Sequence, residues 1–151
     1  MPANSSVLIV GTGALASLFA ARLTATGCTV TMLGSWPDGL AALQAHGVRL
    51  LDADGTVRTY AVHATSNPAE CRGIPQALVL VKAWQTARAA KQLTGCLPSA
   101  GLALTLQNGW GNREILEQAL GLGHELVAGA DDDVGGLLRE EPVGKGCDRL
   151  H

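Results

Sequence analysis

A glycine-rich stretch near the start of the chain has the residue types and spacing of a phosphate-binding loop. In the sequence VLIVGTGALAS, Gly11, Gly13 and Ala16 occupy the three small positions of a G-x-G-x-x-G/A pattern. Gly11 permits a tight turn, Gly13 lets the backbone approach a pyrophosphate, and Ala16 keeps the following helix close to the strand. The first turn of that helix would offer unpaired N–H groups and a positive dipole end to phosphates. The pattern predicts dinucleotide binding, and a purely structural tight turn is the alternative.

Two polar side chains follow apolar runs further along the chain. Lys82 comes directly after the run at 77–81, and Asn108 comes after the run at 102–107. Ligands of an open α/β sheet bind outside the carboxyl ends of its strands, so we expect both side chains at the same crevice as the glycine loop. An amine and an amide there suit a carbonyl or carboxylate, and Asn108 could donate to an oxygen that becomes anionic during hydride transfer. The alternatives are a lysine that extends to solvent and an asparagine used for its Asn-Gly turn.

The end of the second predicted strand normally distinguishes NAD from NADP. An acidic residue there binds the ribose hydroxyls, and a basic residue favours the 2′-phosphate. This chain has Leu33-Gly34-Ser35-Trp36 at that point, and the first acidic residue is Asp38. Because Ser35 can hydrogen-bond to either form, the residues alone leave the cofactor open.

The elements that must position these residues alternate between strands and helices. The sequence predicts strands at 7–10, 28–33, 77–81, 102–107 and 125–129, helices at 14–26, 37–47, 84–94 and 112–120, and a hairpin over 48–62 that turns at Asp54-Gly55. This order predicts an α/β fold: a Rossmann-type, doubly wound, mostly parallel sheet with helices on both faces. We assign residues 1–129 to one dinucleotide-binding domain.

Composition excludes several classes of partner. The chain has 151 residues, 47% of them hydrophobic and 16% charged, and its net charge is −2. The hydrophobic and charged fractions are typical of a soluble globular protein. The small negative net charge gives no electrostatic reason to expect nucleic acid or a membrane as partner. The four cysteines are widely spaced and the histidines stand alone, so we predict free thiols, a cytoplasmic location and no metal site. The run Asp131-Asp132-Asp133 is expected to be a solvated acidic segment.

Three motifs together resemble one known family. The segments VGTGALAS, LVKAWQT and LQNGWGN, spaced as they are, resemble the N-terminal half of ketopantoate reductase (2-dehydropantoate 2-reductase). That family reduces ketopantoate to pantoate with NADPH in pantothenate biosynthesis. The resemblance therefore implies NADPH and a small 2-oxo acid as ligands, although Ser35 stands where many members carry an arginine and NADH is not excluded. It implies that Lys82 lies near the nicotinamide ribose and the substrate, and that Asn108 contacts both. The cofactor-binding residues so implied are Gly11, Thr12, Gly13, Ala14, Leu15, Ala16, Ser35, Lys82 and Asn108.

The resemblance also implies a missing part. The family has a C-terminal helical domain that supplies a catalytic lysine and a substrate-binding glutamate, and we expect this chain to lack it. Whether the chain is itself an enzyme is therefore left open, and we expect a cofactor-binding fragment with low or no activity. We also expect a homodimer or self-association through the surface that the domain would cover.

The last residues, 130–151, do not resemble the family. If Asp131 to Asp133 are encoded by GAC codons followed by GTC, a one-base shift would read Thr-Thr-Thr-Ser, which is close to the family's usual continuation. An out-of-frame tail, a designed terminus and an unusual natural paralogue are the three explanations.

Two other functions remain open at this stage. One is a non-catalytic dinucleotide-binding module that senses or regulates, and the other is a reductase of another 2-oxo acid. We further expect Trp84 and Trp110, which follow the two strand ends, to pack beneath the crevice and not to take part in catalysis.

Overall fold

The computed structural model describes residues 5–108, 110–121 and 123–128. Its helices are α1 Ala14–Ala25, α2 Pro37–His46, α3 Thr86–Cys96 and α4 Asn112–Leu120, with short 3-10 turns at Pro68–Cys71 and Ala83–Gln85. Its strands are β1 Ser6–Val10, β2 Thr29–Leu33, β3 Val48–Leu51, β4 Val57–Tyr60, β5 His63–Thr65, β6 Gln76–Val79, β7 Leu102–Thr105 and β8 Glu125–Ala128. The predicted tail at 130–151, with its acidic run, lies outside the described residues.

Six of these strands form one parallel sheet in the order β5-β2-β1-β6-β7-β8. The chain runs outward from β1 to one edge and then returns to the middle to build the other half, so the predicted doubly wound fold is confirmed. Strands β3 and β4 form a separate antiparallel hairpin, also as predicted. In its turn the Asp54 carboxylate accepts a hydrogen bond from the Thr56 N–H at 2.9 Å, and this bond lowers the pKa of Asp54.

Both faces of the sheet are covered by helices. The central strands are continuous apolar runs because alternate side chains are buried on opposite faces. The face towards α1 and α2 buries Ile9, Val30, Met32, Ala16, Ala20, Leu40 and Leu43 in one cluster. The face towards α3 and α4 buries Leu8, Val10, Val79, Ala89, Leu93, Leu116 and Leu120 in another. The sheet is therefore anchored on both sides and holds the ends of its strands in fixed positions.

The structure differs from the sequence prediction in three places. The edge strand β5 was missed, because it is only three residues long and its first residue, His63, is an exposed polar side chain. Helix α3 spans Thr86–Cys96 and not 84–94, since a 3-10 turn occupies Ala83–Gln85 and the helix continues two residues beyond its predicted end. The strands predicted at 77–81 and 102–107 end two residues earlier, at Val79 and Thr105.

Candidate functional site

Strands β6 and β7 end two residues earlier than predicted, and this places the candidate residues at equivalent positions beyond their strands. Val79 pairs with Val10 on one side and with Thr105 on the other. Gly13, Lys82 and Asn108 each lie three residues beyond one of these paired positions. Because the strands are parallel and neighbouring, the three segments leave the same edge of the sheet side by side. The crevice that we expected at this edge is present.

A first cavity of about 220 Å³ lies on the β2 side of the glycine loop. Its walls are the loop itself, the end of β2 with the segment 34–36 that follows it, the segment 80–82 after β6, and the first half of α3. Ser35 and Lys82 both line this cavity, as do Arg88 and Gln92 from α3. None of the described residues that line it is acidic. The cavity therefore suits an anionic ligand.

A second cavity of about 450 Å³ lies on the β7 side of the loop. It is lined by Gly13, Ala14 and Leu15 at the start of α1 and by the segments after β6 and β7, including Lys82 and Asn108. Gly13 and Lys82 border both cavities, so the two form neighbouring parts of one crevice. Lys82 is exposed, and no ion pair involves it among the described residues.

The glycine loop makes a tight turn and leaves open space at the start of α1. Gly11 has φ +132°, a conformation that side chains rarely allow, and its N–H donates to the Leu33 carbonyl at 2.8 Å. A Cβ on Gly11 would lie 3.1 Å from the Leu80 carbonyl oxygen, whereas a Cβ on Gly13 would meet nothing within 4 Å. Gly13 therefore leaves open space on the crevice side, and no side chain caps the start of α1. These free N–H groups and this open space fit the phosphates of a dinucleotide.

The remaining loop residues support this shape. Ala16 is fully buried against the sheet, so its small side chain lets α1 lie close to β1. The Thr12 side chain fills the space where a Cβ on Gly34 would be, and thereby holds the loop against the end of β2. Every residue that the sequence predicted as a site residue is thus at the crevice or directly beneath it.

Comparison with known proteins identifies the family. The family model described as ketopantoate reductase PanE/ApbA matches residues 7–139, which is most of the chain. The chain belongs to the ketopantoate reductase family. A 2-dehydropantoate 2-reductase from Halobacterium salinarum is 32% identical over 136 residues, which cover 90% of this chain and 44% of that protein.

Solved structures agree with the ketopantoate reductase assignment. A PanE/ApbA family ketopantoate reductase from Ralstonia eutropha superposes with a TM-score of 0.73 at 30% identity, over 82% of this chain and 40% of that one. A D-mandelate dehydrogenase solved with NADH and anilino(oxo)acetate shares the fold at 19% identity and a TM-score of 0.69, over 82% of this chain and 45% of that one. The chain spans less than half the length of the ketopantoate reductases it matches.

A buried hydrogen-bond network lies beneath the crevice. The Gln107 side-chain amide donates to the Val81 carbonyl at 2.8 Å and to the Thr86 hydroxyl at 2.9 Å. The Thr86 hydroxyl donates to the Asn112 Oδ1 at 2.8 Å, and the Asn112 amide donates to the Asn108 carbonyl at 3.1 Å. Gln107, Thr86 and Asn112 are all buried.

This network fixes the backbone on which the candidate residues stand. It holds the carbonyl of Val81, the residue before Lys82, and the carbonyl of Asn108 itself. It also joins the start of α3, at Thr86, to the start of α4, at Asn112. We regard Gln107, Thr86 and Asn112 as positioning residues, because they act through the backbone beside the crevice.

The sequence interpretation missed several of these residues and misplaced two others. Gln107, Thr86 and Asn112 lie inside the motifs LVKAWQT and LQNGWGN, so the motifs contained a signal, but only the contacts reveal their connection. Arg88 carries no local signature. The expectation that Trp84 and Trp110 pack beneath the crevice was wrong: they are 79% and 90% exposed. Each follows a strand end in a turn that points its side chain away from the core.

Within residues 5–108, 110–121 and 123–128 no group of three or more His, Cys, Asp or Glu side chains could hold a metal ion. No helix in this part of the chain is long and apolar enough to cross a membrane.

Proposed function

We propose that this chain binds NADPH in the crevice and provides the cofactor-binding part of a 2-dehydropantoate 2-reductase. The observation that carries the proposal is the open space at Gly13, where the uncapped start of α1 meets both cavities. Phosphates are stabilised by such a helix start and by the positive charge of Lys82. The first cavity would hold the adenosine half of the cofactor, and the second would hold the nicotinamide and the substrate.

The residues of the second cavity suit reduction of a 2-oxo acid. The bound cofactor would supply the hydride. Asn108 is exposed at this cavity, and its amide N–H can donate to the substrate oxygen as negative charge develops there. Lys82 supplies a positive charge beside the same space, which favours a carboxylate or an anionic oxygen. Val81 and Asn108 are held by the buried network, so these groups are set in place before the ligand binds.

We further propose that the chain turns ketopantoate over slowly or not at all by itself. Among the described residues that line the second cavity, Lys82 is the only titratable side chain. The reduction also needs a proton for the product oxygen and contacts for the substrate carboxylate. The described residues are therefore expected to bind the cofactor without efficient turnover. The cytoplasm is the proposed location, in keeping with the free thiols of Cys71 and Cys96.

Calorimetric titration of the purified chain with NADPH and NADH tests the proposal directly. Binding of either dinucleotide establishes the site, and the preferred one identifies the cofactor. Absence of binding of both at millimolar concentration, in a sample whose circular dichroism shows a folded protein, would contradict the proposal. A parallel absorbance assay with NADPH and ketopantoate, or with other 2-oxo acids, measures turnover.

A pair of glycine substitutions makes the test specific to the loop. In Gly13→Ala the new methyl group meets no protein atom within 4 Å but projects beside the phosphates, so binding should fall at least tenfold while stability is retained. Gly95→Ala in α3 also places a methyl group in open space, away from both cavities, and should leave binding unchanged. If both variants bind as well as the parent chain, the phosphates do not lie at Gly13.

A further inference from the structure

A second cation besides Lys82 lines the first cavity. Arg88 is the third residue of α3, is exposed, and lines this cavity together with Ser35. No ion pair involves it among residues 5–108, 110–121 and 123–128. A guanidinium beside a cavity without acidic lining residues attracts an anionic group.

The geometry points to Arg88 as the residue that binds the adenosine 2′-phosphate of NADPH, in place of a basic residue at the end of β2. This inference rests on the proposed function, because it assumes that a dinucleotide occupies the crevice. It assigns cofactor specificity to α3, whereas the usual determinant follows the second strand.

The walls of the first cavity support this assignment. Strands β2 and β6 lie on either side of β1, so the segment after β2 and the start of α3 face each other across the glycine loop. The ribose that carries the 2′-phosphate lies at the end of β2 in this fold class, where this chain has Ser35. Ser35 can contribute a hydroxyl to the phosphate, and Arg88 approaches from the opposite wall.

The neighbouring residues add to the same site. Gln92 lies four residues after Arg88, on the same side of α3, and it also lines the cavity. The acidic residue nearest to Ser35 along the chain is Asp38, which lies in α2 and does not line the cavity. A 2′-phosphate would therefore meet one cation and neutral hydrogen-bonding groups without a repelling carboxylate.

The test compares cofactors that differ only in the 2′-phosphate. Binding of NADPH and NADH to Arg88→Gln is measured by calorimetry, and adenosine 2′,5′-bisphosphate and AMP serve as smaller probes. The affinity for NADPH and for the bisphosphate should fall roughly 10- to 100-fold, as expected for lost charge-assisted hydrogen bonds, while NADH and AMP should bind as before. Lys91→Gln is the matched control, because Lys91 is an exposed cation on the same helix and does not line the cavity.

Each other result overturns the inference. Equal losses for NADPH and NADH would mean that Arg88 contacts the pyrophosphate or stacks on the adenine. No loss for either would mean that Arg88 does not reach the ligand, and an equal effect of Lys91→Gln would mean that only the overall charge of the helix matters. A parent chain that binds neither dinucleotide contradicts the proposed function, so the two failures are distinguishable.

Discussion

The buried network makes a strong prediction for Thr86→Val. Thr86 is fully buried, and its hydroxyl both donates to Asn112 and accepts from Gln107. Valine has nearly the same shape, so the substitution removes these two hydrogen bonds and leaves the packing almost unchanged. Gln107 keeps its bond to the Val81 carbonyl but loses the acceptor for its second hydrogen, and the Asn112 Oδ1 loses the Thr86 donor.

The expected cost follows from burial. Removing one partner of a buried hydrogen bond costs about 1–3 kcal/mol, and two such bonds are removed here. Some relaxation of the Gln107 side chain is expected, so we predict a loss of about 2–4 kcal/mol in the free energy of unfolding. For a domain of this size that corresponds to a fall in Tm of roughly 6–15 °C. The loss is a large fraction of the stability of a typical domain, about 5–15 kcal/mol.

Chemical denaturation and calorimetry measure the effect against two controls. Thr86→Ser retains the hydroxyl and should recover most of the lost stability. Thr94→Val makes the same change on the same helix, where the hydroxyl is exposed and donates to the Lys91 carbonyl at 2.7 Å, and should change stability by no more than about 0.5 kcal/mol. If Thr86→Val is as stable as Thr94→Val, the network does not hold the strand ends and the positioning role is refuted.

Three further predictions concern the loop, the cofactor preference and a buried thiol. Gly11→Ala should destabilise the fold by about 1–3 kcal/mol, because a methyl group at φ +132° is strained and lies 3.1 Å from the Leu80 oxygen; denaturant unfolding measures the loss. Ser35→Asp should weaken NADPH binding and shift the preference towards NADH, as paired titrations with both cofactors would detect. Burial raises the pKa of Cys71 from 9.0 to about 11, so this thiol stabilises the fold fully below about pH 9 and loses that contribution as the pH rises through 11. A thiol reagent should accordingly label Cys71 slowly at pH 8, and rapid labelling of the native protein would contradict the shift.

Local patterns were sufficient to predict the sheet and the loop. Gly11, Gly13 and Ala16 stand between a buried apolar run and a helical segment, and each feature is visible within a few residues of sequence. The same holds for the hairpin at Asp54-Gly55. The edge strand β5 has no such pattern, since three residues with an exposed His63 show no periodicity and the strand is defined only by its pairing with β2.

Features that depend on distant segments could not be predicted in this way. Arg88 becomes a candidate only because α3 faces the segment after β2 across the loop, and no spacing along the chain encodes that. The connection of Gln107 with Thr86 and Asn112 likewise joins the ends of β6 and β7 to the starts of α3 and α4. The quoted motifs contained these residues, but their roles follow from contacts between the segments.

The position of Lys82 explains why an ammonium can follow a buried strand in this fold. Strand β6 ends at Val79, and the two residues after it are only partly buried, so Lys82 has already left the core. Its charge is then exposed at the junction of the two cavities, where the glycine loop is uncapped and no carboxylate neutralises it among the described residues. Because this cation and the free N–H groups are both positive, the electrostatic potential is positive along the length of the crevice. The proposed cofactor carries phosphates and the proposed substrate carries a carboxylate, so both would match that potential, each in its own cavity.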